Sequence, residues 1–200
     1  MPSIVYEYGE NLYINLTNRC PCACEFCERQ HADGIGSADS LWLGSEPAAD
    51  EVLEEIRRIY GTKHREIVFC GYGEPFCALD TLLEVCRGLR TEYPGAVIRV
   101  NTNGLADLIN NREVAPELAG LVDIISISLN TSDPAKYLEM CKPEFGDKSY
   151  PAVLRFAQSC KENRLKVILS VVDVIPEDDI AACREIADRL GVTLRVRPKY

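Results

Sequence analysis

Residues 12–27 read LYINLTNRCPCACEFC. The first five alternate apolar and polar side chains around aromatic and β-branched residues, the pattern of a short strand. Polar residues and four cysteines follow at once, so this strand delivers its chemistry at its C-terminal end. Moving outward from it, the same unit recurs. Strand candidates fall at 66–70, 97–101, 123–129, 166–173 and 193–196, with amphipathic stretches between them. Ser45 reads as an N-cap with Pro47 just inside, opening a helix through DEVLEEIRRIY to a stop at Gly61. Further helices are expected over 79–91, 106–118, 134–140, 150–163 and 176–190, the last ending before Gly191. Strand and helix alternate about six times, which predicts a parallel sheet with helices outside it. Right-handed crossovers leave either an open doubly wound sheet or a curved, barrel-like one. Polar motifs close several different strands instead of gathering at one switch point, which favours the barrel. The expected fold is α/β, a partial (βα)6 TIM-like barrel open on one side, forming a single domain over residues 1–200. A Gly-Glu-Asn turn in the opening alternation adds a short hairpin over 1–11, ahead of the first barrel strand. The weakly patterned segment 29–45 reads as a loop over the face that carries the chemistry.

Composition excludes several classes. Of 200 residues, 46% are hydrophobic and 26% charged, values typical of a folded soluble domain and not of a disordered chain. No run approaches the roughly 20 apolar residues that span a bilayer. The start, MPSIVYEYGENLYINLT, lacks the basic and apolar regions of an export signal, so a cytoplasmic location without membrane attachment is expected. Lys and Arg number 22 against 31 Asp and Glu, giving a formal charge of −9. A field of that sign repels a phosphate backbone, which disfavours nucleic acid as a partner.

Ten cysteines are the outlying number. In a reducing compartment they stay thiols, and a domain of this length needs no covalent staples. Cys70, Cys77, Cys86, Cys141, Cys160 and Cys183 are scattered singly, as small buried hydrophobes are. Cys20, Cys22, Cys24 and Cys27 are not. Taken as Cys20, Cys24 and Cys27, the cluster has CxxxCxxC spacing directly after a strand, and three thiolates from one loop grip three irons of a cubane while leaving the fourth open. Zinc, with His31 as a fourth ligand, is a second reading, and a redox pair of Cys24 with Cys27 a third. Registers using Cys22 are also available.

The run 12–27 resembles the signature loop of radical S-adenosylmethionine (SAM) enzymes, including its TNRC entry and the aromatic Phe26 before the third cysteine. The resemblance continues along the chain. FCGYGEP (69–75) is similar to the family's GGEP element, NTNG (101–104) and SISLN (126–130) to its next two strand ends, and SVVDVIPEDD (170–179) to a later loop of the molybdenum-cofactor branch. Within the superfamily the string is most similar to the TatD-associated radical SAM proteins. The resemblance implies a [4Fe-4S] cluster held by Cys20, Cys24 and Cys27, with SAM chelated at the open iron. It implies SAM contacts from Phe26, Gly71, Gly73, Glu74, Asn101, Asn103, Ser128, Asn130 and Asp173.

The residues themselves allow these roles and also plainer ones. Gly71 and Gly73 permit close main-chain approach, yet also suit a simple βα corner. Glu74 adds a charge-assisted acceptor. Asn101 and Asn103 carry amides suited to ribose hydroxyls or a carboxylate, although Asn-Gly is also a good turn. Ser128 and Asn130, two apart, share a facing, and Asn130 alternatively caps the helix that TSDP begins. Tyr13 stands where the molybdenum-cofactor enzymes carry arginine, so their triphosphate substrate is not implied. Asn15 shares Tyr13's facing and lines the same pocket. Arg195 and Arg197 also share a face: inward they form an anion site, outward a solvated edge. Cys141 lies in MCKPEFG, which reads as loop, so its thiol is either an accessible hydrogen or proton donor or a surface cysteine without a role. His64 sits at the N-terminal end of a strand and receives no role.

The expected activity is reductive cleavage of SAM to a 5′-deoxyadenosyl radical that abstracts hydrogen from an unidentified substrate. Expected partners are SAM, that substrate, an electron donor such as flavodoxin or ferredoxin, and a homodimer mate or partner chain closing the barrel. An activase of a glycyl-radical partner protein, and a non-catalytic zinc or iron-sulfur module, are the alternatives.

Overall fold

The computed structural model describes residues 2–198. Two compact units emerge, each with its own core. The first comprises residues 2–20, Cys27–Asn101 and Gly120–Asp123, and the second Pro21–Phe26, Thr102–Ala119 and 124–198.

In the first unit, β1 (Val5–Tyr8) and β2 (Asn11–Ile14) form an antiparallel hairpin, Val5 opposite Ile14 and Tyr8 opposite Asn11. Gly9 takes φ +59° at the turn, a conformation that costs a residue without Cβ nothing. β2 is thus both the second arm of the hairpin and the first parallel strand. β3 (Glu66–Phe69) and β4 (Val97–Thr102) follow in parallel register, with Tyr13, Val68 and Arg99 in one row. Sheet order follows chain order, β1-β2-β3-β4, with no reversal of the kind that defines a doubly wound sheet. The helices are α1 (Ala49–Ile59) and α2 (Leu79–Glu92), which pack on each other. α1 begins later than the sequence suggests: its N-cap is Ala48, whose side chain makes no capping bond, and Ser45 is exposed. Asp50 and Glu51 in its first turn supply the favourable charge that a polar cap would have supplied.

The second unit carries α3 (Ala106–Asn110), α4 (Ala115–Leu118), β5 (Ile124–Ser128), α5 (Pro134–Cys141), α6 (Ser149–Glu162), β6 (Lys166–Val172), α7 (Glu177–Leu190) and β7 (Thr193–Arg197). β5, β6 and β7 are parallel and again in chain order. The single helix expected over 106–118 is two short ones. Asn111 takes φ +51° and ends α3, and the Asp107 carboxylate accepts from the Val114 backbone, closing a turn in place of continuous helix.

Alternation fixes the two faces of β5–β7. Ile127, Leu169 and Val171 are fully buried, and a Cβ placed on Gly104 would meet both Ile127 and Val153 of α6, so this is the face the helices cover. Ser128, Ser170 and Arg195 form a row on the opposite face, with Arg197 beside Val172 one step further.

Candidate cofactor site

The TNR residues ahead of the cysteines hold the loop entry in place. Thr17 is buried and its hydroxyl bonds the Glu46 carboxylate. Asn18 reads the backbone of Leu43 from both sides, donating to its carbonyl at 2.7 Å and accepting from its amide at 3.0 Å. Arg19 forks onto Glu46 at 2.6 and 2.9 Å and also donates to the Cys77 carbonyl. Arg19 holds the Glu46 carboxyl below the usual carboxylate range, with Thr17 assisting and burial opposing. The 29–45 segment is therefore anchored from the β2 end. It also bonds β1 and the residues before it: the Ser37 amide donates to the Glu7 carbonyl, the Ser3 amide donates to the Ser40 carbonyl, and Ala38 and Leu41 pack with Tyr6 and Tyr72.

The FCGYGEP turn packs directly on this entry. A Cβ on Gly73 would lie 2.1 Å from the Thr17 carbonyl oxygen and 2.8 Å from that of Arg19, and one on Gly71 would collide with Asn15. The glycines are thus required by the scaffold whatever else they do. The buried Glu74 caps its own turn, accepting from the Phe76 amide at 3.2 Å, and its backbone amide donates to Arg19. Burial, with Glu74 and Cys20 nearby, pushes the Cys77 thiol up to about 12 and keeps it an S–H.

The four clustered cysteines fall into two kinds. Cys22 is 4% exposed, and its sulfur accepts from Asn103 Nδ2 at 3.7 Å. Cys20, Cys24 and Cys27 are half-buried, and none of the ten cysteines is in a disulfide. Cys24 Sγ donates to the Cys141 carbonyl at 3.8 Å. Phe26 is half-buried in the same loop. Among the described residues no group of three His, Cys, Asp or Glu side chains is arranged to hold a metal ion.

The strand ends hold the remaining candidates. Asn103 is engaged locally, its Oδ1 accepting from Leu105 and its amide reaching Cys22. Asn101 Oδ1 and Asn130 Oδ1 are buried acceptors without a hydrogen-bond partner. Asn130 takes φ +67°, a conformation that asparagine tolerates, and donates to Cys141 Sγ at 3.2 Å. It does not cap α5. That role belongs to Asp133, which accepts from Ala135 and Lys136. Ser128 closes β5, and Asp173 is exposed on the turn after β6.

One expectation about reactivity changes. Cys141 is the last residue of α5 and 1% exposed, the helix running one residue past the expected end at Met140 into what the proline and glycine of MCKPEFG suggest is loop. Its thiol is not accessible. Asn15 donates to the Leu41 carbonyl at 2.8 Å and to Ser3 at 3.4 Å, which ties its NH2 to the scaffold, while its Oδ1 is a buried acceptor without a hydrogen-bond partner. Tyr13 stacks on Tyr6 with ring centroids 5.3 Å apart. Arg195 and Arg197 lie on the face away from the helices, the inward alternative, with Arg195 exposed and Arg197 Nε buried and unbonded. His64 accepts from the Gly61 amide at Nδ1 and sits 2.7 Å from Glu7 through Nε2, so it serves the scaffold. One residue was missed. Arg99 is 7% exposed, paired with Glu66 at 3.0 Å, and its Nε has no partner. Its spacing of two from Asn101 on β4 was the available signal.

The sequence pattern of the Radical SAM superfamily matches residues 14–190, and the chain belongs to that family. It is 23% identical over 199 residues to the FeMo cofactor biosynthesis protein NifB of Chlorobaculum tepidum, covering 96% of this chain and 41% of that protein. It is 33% identical over 150 residues to a probable GTP 3′,8-cyclase of Methanocella arvoryzae, covering 71% and 43%. Among solved structures, Streptococcus suis SuiB bound to S-adenosylmethionine superposes with a TM-score of 0.65 at 18% identity, over 94% of this chain and 38% of that one. The fold is that of the radical SAM core, and the chain spans about two fifths of these proteins. No helix among the described residues is long and apolar enough to cross a membrane.

Proposed function

We propose that this protein is a radical SAM enzyme in which Cys20, Cys24 and Cys27 hold a [4Fe-4S] cluster. The observation that carries the reading is the division among the clustered cysteines: three half-buried thiols stand at CxxxCxxC spacing after β2, while Cys22 is buried with its sulfur on Asn103. The donor set suits the group, being thiols with no disulfide partner on a loop that lacks regular structure between β2 and the turn at Glu28–Gln30. The unpartnered Asn101 and Asn130 carbonyls suit a ligand rich in N–H and O–H donors, as SAM is. Held by Cys20, Cys24 and Cys27, the cluster would supply the electron for reductive cleavage of SAM, the chemistry that leads to hydrogen abstraction from a substrate.

The chain's own residues bind and orient. Thr17, Asn18 and Arg19 fix the entry to the cysteine loop. The Gly71–Glu74 turn, packed on that entry, offers its backbone to the SAM amino group, and Phe26, Asn101, Asn103, Ser128, Asn130 and Asp173 complete the proposed SAM set. Tyr13, Arg195 and Arg197 face the substrate, and the two arginines suit an anionic group on it. Within the superfamily, the motifs resemble the TatD-associated proteins. An electron donor such as flavodoxin or ferredoxin and a second chain at the open side belong to the same reading.

Anaerobic reconstitution tests it. Iron, sulfide and 5′-deoxyadenosine are measured after dithionite reduction with SAM. About four irons per chain and nucleoside formation are expected, both abolished by replacing Cys20, Cys24 and Cys27 with alanine. A single tightly held zinc without turnover overturns the proposal in favour of a binding module.

A further inference from the structure

The middle of the cysteine loop is bonded along its length to the end of α5. Ala23 donates its amide to the Cys141 carbonyl at 3.0 Å, Glu25 to that of Met140 at 3.1 Å, and Glu144 to that of Pro21 at 2.9 Å. The Lys142 ammonium meets Glu25 at 2.8 Å, and Cys24 Sγ meets the Cys141 carbonyl. Residues 140–144 hold their own shape through two unusual features. Lys142 ends α5 at φ +46°, and the buried Cys141 sulfur accepts from Asn130, itself at φ +67°.

Backbone bonds of this kind do not depend on side-chain identity. Ala23 and Glu25 are exposed, so hydrophobic burial does not fix this part of the loop. Pro21 and Cys22 are buried ahead of it, and from Ala23 to Glu25 the backbone bonds to 140–144 tie the loop down. We propose that residues 140–144 form a strap that presets the backbone at Cys24 for its place among the cluster ligands. Ala23, Lys142 and Cys141 are then positioning residues for Cys24. The inference rests on the reading of Cys24 as a cluster ligand, but the strap itself is testable without the cluster.

In the unmodified apoprotein, hydrogen exchange is expected to show the Ala23 and Glu25 amides protected despite their exposure. Site-resolved alkylation with iodoacetamide then compares Cys24 with Cys20 and Cys27. Ala23→Pro deletes one donor, and Lys142→Val forbids the left-handed turn. Each is expected to raise the Cys24 rate about tenfold while Cys20 and Cys27 change little. Ala23→Ser keeps the amide and Lys142→Gly keeps the turn, and both are expected to behave as the unmodified protein. After reconstitution, Ala23→Pro is expected to lose iron to a chelator faster than Ala23→Ser. The strap is overturned if the two amides exchange at unprotected rates, if Cys24 gains no more than Cys20 and Cys27, or if iron retention is equal. Failure of the unmodified protein to load a cubane overturns the proposed function and leaves the apoprotein result standing.

Discussion

Asn103 donates its side-chain amide to the sulfur of Cys22, 3.7 Å away, and so ties the second cysteine of the loop to the NTNG turn after β4. A sulfur so placed acts as a packed, weakly bonded group.

The first expectation follows from that pairing. Cys22→Ala leaves a small cavity and an amide short of one acceptor, a loss of about 1–2 kcal/mol in unfolding free energy. Iron per chain after reconstitution should equal that of the unmodified protein. Loss of iron in this variant alone would show that the ligand register includes Cys22.

Gly73 offers a sharper steric test. A Cβ there meets two backbone carbonyl oxygens, at 2.1 and 2.8 Å, and backbone cannot swing aside as a side chain can. Gly73→Ala is expected to cost about 2–3 kcal/mol and to displace the loop entry at Thr17 and Arg19. Gly95→Ala serves as the control, because nothing lies within 4 Å of its Cβ position. Equal denaturation midpoints for the two variants would contradict the packing described.

The strands and most helices were legible in the sequence because hydrophobic period is local, and β2 to β7 fall within a residue or two of the expected runs. What was not legible depended on tertiary partners. Ser45 has the right chemistry for a cap, but the helix starts where Ala49 can bury. The proline and glycine of MCKPEFG correctly announce a break, yet they do not say that Cys141 lies on the buried side of it. Asn15 and Tyr13 share alternation, but only the packed 29–45 segment reveals that the Asn15 amide is spent on Leu41. The glycines of GYGEP were read for a ligand or a simple βα corner, and what a Cβ would meet is the Asn15 side chain at Gly71 and the Thr17 and Arg19 carbonyls at Gly73.

Arg195 and Arg197 face away from the helices beside Ser170 and Val172. Phosphate, as probe, is expected to shift the guanidinium Nε–H resonance of Arg197 saturably at low ionic strength. The double substitution Arg195→Gln with Arg197→Gln should remove the effect, while Arg87→Gln on α2 should not. Shifts of equal size at Arg87 and Arg197 would mean that the face has no anion site.

Glu46 links the loop entry to pH. Its carboxyl is depressed chiefly by Arg19, against burial and with help from Thr17. A depressed carboxyl stabilises the fold above its unfolded value, near 4.3, and that contribution is lost as pH falls through the folded value. The Arg19 and Glu46 side chains are 61% and 41% exposed, so the ion pair contributes only about 0–1 kcal/mol. The stability difference between the unmodified protein and Glu46→Gln should therefore be small at pH 6 and shrink below about pH 4. A difference that grew on acidification would reverse the sign argued here.

Asp179 is the stronger case, because it is buried and its carboxylate organises the turn after Asn130. Oδ2 accepts from the Thr131 hydroxyl at 2.7 Å, and Oδ1 accepts from the Ser132 amide at 2.8 Å and hydroxyl at 2.6 Å. Lys136 Nζ lies 3.7 Å away. Burial works to raise the carboxyl, but the bonds from Ser132 and Thr131 outweigh it and leave it below the ordinary value. Removing the acceptor strands a buried hydroxyl and a backbone amide, so Asp179→Ala should lose about 3–4 kcal/mol. Asp179→Asn keeps the shape and one acceptor oxygen, and should lose about 1–2 kcal/mol. Its deficit is expected to be present at neutral pH and to fade as acid protonates Asp179 in the unmodified protein. Urea denaturation of the three proteins between pH 3 and pH 7 reads both effects, and equal midpoints for Asp179→Ala and Asp179→Asn would show that the hydrogen bonds do not hold this turn.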